Sequence, residues 1–182
     1  VFSELNLRPY RYDEIIRAAK AGKAVLFLSA TQLYRRELRA VSDLVSKQDG
    51  KVIYRYHVGQ YLPDWHPWDS SREFFAWDAQ TNACREILAI ELPWLLRAFG
   101  RVGNIMAVKD KISELDIQYP DHYLLILQHG NGNKGVFIVD AVSRVAQREL
   151  LVYSDKLHLT WNGTPDSLRQ FELDKKVTET IP

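Results

Sequence analysis

The second half of the sequence is a succession of short apolar runs separated by turn residues. Residues 123–127 and 135–139 flank the sequence Gly-Asn-Gly-Asn at 130–133, which is a strong signal for a β-hairpin. Residues 150–153 and 157–161 predict a second hairpin around a Ser-Asp-Lys turn. This succession constrains the fold more than any other feature, because consecutive strands joined by short turns pair in an antiparallel sheet.

Helices are predicted before these strands. Residues 37–48 place apolar side chains on one face of a helix, and residues 83–99 are apolar at helical spacing, with Pro93 expected to kink that helix or to mark its start. Residues 51–60, between the two, alternate as a strand does. Together these segments predict an α+β fold, an open, mainly antiparallel β-sheet with helices on one face.

A different pattern opens the chain. Residues 1–7 predict a strand, residues 12–22 predict a helix with acidic residues in its first turn, and residues 24–29 predict a strand without alternation. Such a strand is expected to be buried on both faces, and this order of elements predicts the parallel crossover of an α/β sheet. Because the sequence has no initiating Met, we expect the chain to begin inside a longer protein.

Composition argues against several classes of function. In 182 residues, 24 Lys and Arg against 23 Asp and Glu give a net charge of +1, so no nucleic-acid partner is predicted. Cys84 is the single cysteine, and the histidines contain no His-x-x-x-His pair, so no disulfide and no metal site is predicted. No apolar run approaches the roughly 18 residues of a membrane span, and no signal peptide opens the chain. We therefore expect a cytoplasmic protein without a membrane partner.

An aromatic loop follows the strand at 51–60. Tyr61, Trp65 and Trp68 offer flat apolar faces, and Asp64 and His66 offer hydrogen-bonding groups beside them. This combination suits a polar ring such as a sugar, whose C–H face stacks while its hydroxyls are hydrogen-bonded. The alternative is that the rings cover the hydrophobic core beside the sheet.

Two carboxylates lie on the predicted helix 83–99. Glu86 and Glu91 stand among apolar residues, where a carboxylate is costly unless it is paired or functional. One interpretation makes them general acid/base groups or acceptors for substrate hydroxyls. The alternative is ion pairing with Arg85 and Arg97.

Anion binding has few sequence signals. No Gly-x-Gly-x-x-Gly motif and no P-loop occurs, and the turn at 130–133 is typical of a hairpin rather than of a phosphate cradle. The segment 143–148, which contains Ser143, Arg144 and Arg148, is expected to be a solvated strand end. Binding of an anionic ligand by this segment is the alternative.

In their order, these segments resemble the part that follows the cofactor-binding motif in oxidoreductases of the glucose–fructose oxidoreductase/inositol dehydrogenase (Gfo/Idh/MocA) family. Residues 1–7 resemble the strand that ends in the family's Glu-Lys-Pro signature, and residues 12–29 resemble the helix and strand that close its Rossmann domain. Later segments resemble parts of the family's C-terminal domain. Residues 58–65 are similar to its first strand and substrate loop, and residues 91–100 to its long helix. Residues 121–144 are similar to its hairpin, and residues 161–163 to its late turn.

The resemblance implies a domain division and a function. Residues 1–30 would be the C-terminal remnant of a dinucleotide-binding Rossmann domain, and residues 31–182 an α+β substrate-binding and dimerisation domain. The chain would be the C-terminal part of an oxidoreductase whose NAD or NADP is bound mainly by an N-terminal portion, with Glu4 near the nicotinamide. Its substrate would be a small sugar, cyclitol or nucleotide-sugar, contacted by the aromatic loop. Homo-oligomers would form through the sheet face.

The sequence also departs from the family pattern. Leu5 stands where the signature has lysine, and the helix aligned with the family's Asp-x-x-x-His pair has Glu86 and Ile90 at those positions. Leucine and isoleucine side chains transfer no protons. A catalytically inactive sugar-sensing protein and a stand-alone dimerisation domain therefore remain as alternatives to the enzyme.

Overall fold

The computed structural model describes residues 2–3, 11–68 and 74–181. Short 3₁₀ helices at Thr31–Tyr34, Leu62–Asp64 and Phe75–Trp77 connect the longer elements. In chain order, the helices and strands are β1 (Phe2–Ser3), α1 (Tyr12–Ala21), β2 (Phe27–Leu28), α2 (Arg36–Ser46), β3 (Ile53–Gly59), α3 (Ala83–Phe99), β4 (Val102–Asp110), β5 (His122–His129), β6 (Lys134–Asp140), β7 (Gln147–Tyr153), β8 (His158–Trp161), β9 (Arg169–Glu172) and β10 (Val177–Thr180).

Eight of these strands form one sheet in the order β10-β9-β8-β7-β3-β6-β5-β4. Every neighbouring pair is antiparallel except β3 and β6, which run parallel with Gly59 opposite Asp140. Both predicted hairpins are present, as β5–β6 and β7–β8. The predicted fold class, an open and mainly antiparallel sheet with helices, is confirmed.

Helices α2 and α3 cover one face of the sheet, and the core lies between the two layers. Tyr54 of β3 stacks on Phe99 of α3 with the ring centroids 3.9 Å apart, and Tyr56 stacks on Phe137 of β6. Gly135 lies beneath Tyr54, where an added Cβ would be 1.9 Å from the tyrosine ring. Large aromatic rings therefore fill this face, and a glycine provides the space for one of them.

Helix α3 runs from Ala83 to Phe99 and contains Pro93 in its interior, so the prediction that Pro93 starts the helix is wrong. The start is fixed by Asn82, whose side chain accepts a hydrogen bond from the Arg85 amide. The helix ends at Gly100, which has a φ of 97°. No helix in the described ranges is both long and apolar enough to cross a membrane.

The opening segment forms the predicted parallel crossover, since β1 and β2 pair in parallel with α1 between them. The predicted burial of residues 24–29 on both faces is wrong. Val25 is 77% exposed, Phe27 is exposed, and α1 has no buried residue. The described residues therefore form no core around this unit, although its sequence pattern is that of a buried strand.

The sheet face opposite the helices is open and presents exposed apolar side chains together with polar ones such as Arg55 and Glu149. Because side chains alternate along a strand, Met106 and Val108 of β4 share this face with Ile126 of β5. All three are exposed. Ile53 and Tyr153, which are paired across β3 and β7, are further exposed apolar side chains on this face.

Candidate functional site

The carboxyl ends of β3 and β6 meet at one edge of the sheet, because these two strands are parallel. The segments that leave them are tied together by backbone hydrogen bonds. The Gln60 amide donates to the Asp140 carbonyl at 3.3 Å, and the Leu62 amide donates to the Ala141 carbonyl at 2.9 Å. The aromatic loop and residues 141–144 therefore form one continuous rim, which we call the β3–β6 rim.

The aromatic loop packs partly on the core and partly on itself. The Trp65 indole donates to the Gln60 carbonyl at 3.2 Å, and its ring contacts Phe74. The His66 ring lies 4.1 Å from Phe74 and 5.1 Å from Trp68 between ring centroids. Trp68 is 75% exposed, whereas Trp65 is half-buried against the core. The sequence left two alternatives for these rings, that they cover the core or that they are exposed for a ligand. Trp65 does the first and Trp68 is exposed as in the second.

Tyr61 and Asp64 lie at either end of the 3₁₀ turn that opens the loop. Asp64 is exposed, and its amide donates to the Tyr61 carbonyl at 2.9 Å. Tyr61 is half-buried and carries the Arg144 guanidinium 3.5 Å above its ring centroid. The turn therefore carries an exposed carboxylate at one end, and at the other a ring on which a cation from the segment after β6 is stacked.

A cleft of about 580 Å³ adjoins the loop at Phe74. Aromatic and polar side chains line it together, as in many sites for small molecules. The lining residues are Phe74, Phe75, Trp77, Asp78, Gln80, Thr81 and Asp116. Residues 69–73, which join Trp68 to this cleft in sequence, lie outside the described residues.

A polar cluster closes the end of β6. Asp140 accepts hydrogen bonds from the Val142 and Ser143 amides and the Ser143 hydroxyl, and its Oδ2 lies 2.6 Å from Nε2 of His57. Burial raises the pKa of Asp140, but His57, the Ser143 hydroxyl and the two amides lower it more, so its pKa lies below the usual value. Gly59 has no Cβ, and one would be 2.3 Å from Asp140 Oδ2. The sequence showed His57 as a lone histidine and gave no sign of this partner.

Glu91 is fully buried on α3 and accepts from several donors. The Tyr56 hydroxyl and the Trp94 indole donate at 2.8 Å, and Arg148 of β7 lies 2.9 Å away. Gln32 donates from a longer distance, 3.4 Å. Burial raises the pKa of Glu91, while Arg148, Tyr56 and Trp94 act in the opposite direction. The expected partners Arg85 and Arg97 were therefore wrong for Glu91, because its partner comes from the sheet.

Glu86 lies in the first turn of α3 and is half-buried. This end of the helix lies near the β3–β6 rim, since the Cys84 sulfur is 4.0 Å from the Val139 carbonyl oxygen near the end of β6. Burial raises the pKa of the Cys84 thiol, so this cysteine is not a thiolate nucleophile. Glu4, the residue predicted to lie near the nicotinamide, falls outside the described residues.

The chain's own residues do not fit a dinucleotide cradle. The connection from β1 to α1 contains no glycine, whereas a pyrophosphate cradle needs glycines to bring backbone amides close to the phosphates. Among the described residues, no three His, Cys, Asp or Glu side chains are arranged to hold a metal ion.

The sequence matches no protein-family model, and it matches no curated protein. Solved structures match its fold. An inositol dehydrogenase homolog from Azotobacter vinelandii, complexed with NAD+, has a TM-score of 0.78 and 12% identity over 100% of this chain and 50% of its own. UDP-N-acetylglucosamine 3-dehydrogenase GnnA from Acidithiobacillus ferrooxidans has a TM-score of 0.71 and 12% identity over 100% of this chain and 54% of its own.

A third match is the WlbA dehydrogenase from Bordetella pertussis in complex with NADH and UDP-GlcNAcA. Its TM-score is 0.72 with 16% identity, over 93% of this chain and 53% of that one. The chain thus spans about half the length of the structures it matches. It has the fold of the C-terminal part of Gfo/Idh/MocA-type dehydrogenases, and the resemblance seen in the sequence is confirmed at the level of the fold.

Proposed function

We propose that this chain is the C-terminal, substrate-binding part of an NAD(P)-dependent oxidoreductase that acts on a sugar, a cyclitol or a nucleotide-sugar. One observation carries the proposal. The fold of the C-terminal part of such dehydrogenases extends over the whole chain, and an aromatic, polar loop follows β3 at the β3–β6 rim. The nicotinamide supplies the hydride chemistry when it is bound, and the residues of this chain bind and orient the substrate.

Four residues of the loop are proposed to contact the sugar. Trp65 is a half-buried ring that can stack on its apolar face, and Asp64 is an exposed acceptor for its hydroxyls. Tyr61 carries Arg144 on its ring face, so its contact with the sugar would be made by the hydroxyl. His66 stands beside them, against Phe74. Two prolines in the loop restrict its backbone, which lowers the entropy lost on binding.

Glu86 is our proposed proton-transfer group, because it is half-buried on the end of α3 near the rim. Glu91, the second candidate, is better suited to a positioning role. It has 0% exposure and contacts Tyr56, Trp94 and Arg148 rather than solvent. A role of Glu4 near the nicotinamide remains a prediction from the resemblance.

We further propose that a second copy of the chain covers the open face of the sheet. This face presents exposed Met106, Val108 and Ile126, a contiguous apolar surface of the kind that marks protein contacts. Self-association through one such face gives a closed two-fold dimer, which leaves no further copy of the surface exposed. We propose a cytoplasmic location for this dimer.

The test is turnover by the full protein that contains this chain. NAD+ and NADP+ would each be supplied with myo-inositol, glucose and UDP-N-acetylglucosamine, and reduced cofactor would be followed by absorbance. We expect Glu86→Gln to lower kcat by about 100-fold or more with its melting temperature unchanged, as for loss of a general acid or base. Glu179→Gln is the matched control, because Glu179 is exposed on β10 at the edge of the sheet.

Two results would contradict the proposal. Full activity of the Glu86→Gln variant would remove that residue from proton transfer. Absence of turnover with every substrate and both cofactors, in a folded protein that still binds a sugar, would support the sugar-sensing alternative instead.

A further inference from the structure

Arg144 is held on the face of Tyr61 at the β3–β6 rim. The carbon of its guanidinium lies 3.5 Å from the ring centroid, which is close cation–π contact. Its backbone is held as well, since the preceding Val142 and Ser143 amides both donate to Asp140 Oδ1. The side chain is exposed. The rim therefore presents a positioned cation rather than a freely moving one.

The charge of Arg144 is not compensated inside the part of the chain that the structure describes. There it makes no ion pair, whereas Arg36 and Arg148 have carboxylate partners at 2.6 and 2.9 Å. The nearby Asp140 is already surrounded by donors, with His57 at 2.6 Å from its Oδ2. Its negative charge is thus directed toward other groups. Asp64 lies on the turn that follows Tyr61 but makes no ion pair with Arg144 either, so the guanidinium is left without a carboxylate partner among the described residues.

Stacking also determines which groups Arg144 can bind. A guanidinium that lies on a ring uses its flat face, so the five N–H donors in its plane point outward past the ring. That planar fork matches the paired oxygens of a carboxylate or a phosphate. A neutral hydroxyl uses one donor at a time and gains no charge assistance.

We propose that Arg144 binds a carboxylate or phosphate group of the substrate, so that the substrate is an anionic sugar derivative rather than a neutral sugar or cyclitol. This inference rests on the proposed function, because it specifies the ligand of the same rim. The Leu62 amide bonds to the Ala141 carbonyl at 2.9 Å, which joins the turn that leads to Trp65 to the segment that carries Arg144. One ligand can therefore place its sugar ring on the aromatic loop and its anionic group on Arg144.

The experiment measures ligand affinity of the full protein by tryptophan fluorescence and calorimetry. UDP-N-acetylglucosamine tests the phosphate source, glucuronate tests the carboxylate source, and N-acetylglucosamine is the neutral comparison. We expect one anionic ligand to bind more tightly than the neutral one. Arg144→Gln is expected to raise its Kd by about 10- to 100-fold, the usual range for losing a charge-assisted pair of hydrogen bonds.

Two further variants separate the fork from the charge. Arg144→Lys keeps the charge but loses the planar fork, so it is expected to recover only part of the affinity. Tyr61→Leu removes the ring that holds the guanidinium, and a smaller loss is expected. Arg101→Gln is the matched control, because Arg101 is also an exposed arginine but lies far from the β3–β6 rim. It precedes β4, and the first residue of β4 pairs with His129, at the other end of the strands.

Several outcomes would overturn the inference. Equal affinity of wild type and Arg144→Gln for the anionic ligand would do so, as would equal binding of neutral and anionic ligands by the wild type. If Arg144→Gln weakened only the binding of NAD+ or NADP+, each titrated without substrate, Arg144 would bind the cofactor rather than the substrate. If the protein turned over a neutral sugar, and Arg144→Gln left that turnover unchanged, this inference would be overturned while the proposed function would stand. If no ligand were bound and none were turned over, both would be overturned.

Discussion

Both faces of the sheet carry large apolar side chains, yet they differ in how their polar atoms are arranged. On the covered face, Tyr54 and Tyr56 are fully buried and their hydroxyls reach polar partners. On the open face, Met106 and Val108 are 64% and 59% exposed and carry no polar group. Apolar character alone therefore does not identify the face that is buried within one chain. The buried face is distinguished by paired polar atoms at the tips of its aromatic rings.

These pairs fix how α3 lies on the sheet. The Tyr54 hydroxyl lies 3.0 Å from Nε2 of His129, whose Nδ1 lies 2.7 Å from the Gly100 carbonyl at the end of α3. The Tyr56 hydroxyl donates to Glu91 in the middle of the same helix. A shift of α3 along the sheet would break both contacts at once, and each buried polar atom would then lose the partner that it needs. The open face has one buried polar contact of its own, between His57 and Asp140 at the β3–β6 rim, but that contact reaches no helix. The exposed apolar side chains of the open face have no such constraint.

The largest expected effect comes from removing the buried carboxylate of the covered face. Glu91→Ala leaves the donors of Tyr56, Trp94 and Arg148 without their acceptor. We expect the free energy of unfolding to fall by about 3–5 kcal/mol, the usual cost of breaking one side of a buried pair. Urea unfolding followed by circular dichroism measures this.

Glu149→Ala is the control from the open face, where Glu149 is exposed opposite His57. We expect a change of no more than about 0.5 kcal/mol, as for most surface substitutions. Equal losses for the two glutamates would mean that the buried contacts do not distinguish the faces.

The second effect tests the space beneath the aromatic rings. Gly135→Ala would place a Cβ 1.9 Å from Tyr54, so the stacked Tyr54 and Phe99 rings must move. We expect a loss of about 1–3 kcal/mol in unfolding free energy, with partial recovery in a Gly135→Ala, Tyr54→Leu double variant. Gly103→Ala on the edge strand β4 is the matched control, because its Cβ would meet no atom closer than 3.7 Å. A neutral Gly135→Ala variant would show that the core is looser than described.

The third effect concerns association rather than folding. Lysines at Met106 and Val108 place charge on the open face, and sedimentation analysis should show the proposed dimer dissociating to monomers. The unfolding free energy of the monomer is expected to change by only about 0.5 kcal/mol. Ile105→Lys is the control, because Ile105 is 56% exposed on the same strand but points to the other face. A dimer that survives the double variant would place the interface elsewhere.

The sequence predicted the fold where local signals agree. Helix α3 was predicted at residues 83–99 from the helical spacing of its apolar side chains, and the structure gives it the same bounds. Its cap at Asn82 was not predicted. Strand β10 was missed, since all four of its residues are exposed and none marks a buried face. The exposure of Val25 was also missed, because an apolar run does not reveal what covers it.

The site was less predictable than the fold. The aromatic loop was identified from composition, whereas Arg144 was expected to lie in a solvated strand end. The stacking of Arg144 on Tyr61 depends on the parallel pairing of β3 with β6, which no local pattern indicates. The partner of Glu91 was missed for the same reason, since Arg148 lies far away in sequence and reaches it through the sheet. Residues brought together by strand order need the tertiary structure.

The smallest effect is a difference in how the two faces respond to acid. His129 lies on the covered face. Burial lowers its pKa more than the hydrogen bond with the Gly100 carbonyl raises it, so on acidification the unfolded chain takes up a proton at a higher pH than the folded chain does. Stability should therefore begin to fall as the pH drops below about 6.5, the usual value for histidine. The pKa of Asp140 beside the open face is also lowered, because His57 and its other donors outweigh burial. Its contribution is complete above about pH 4 and is lost only as the pH falls further.

Unfolding midpoints measured from pH 8 to pH 3 separate the two contributions. His129→Asn should flatten the decline that begins below about pH 6.5, and Asp140→Asn should flatten only the decline that begins below about pH 4. Asp155→Asn, at an exposed turn residue between β7 and β8, is the control and should follow the wild type. If both test variants changed the same pH range, acid sensitivity would belong to the sheet as a whole. Separate ranges would show that each face has its own titrating group, the histidine bound to α3 and the carboxylate at the β3–β6 rim.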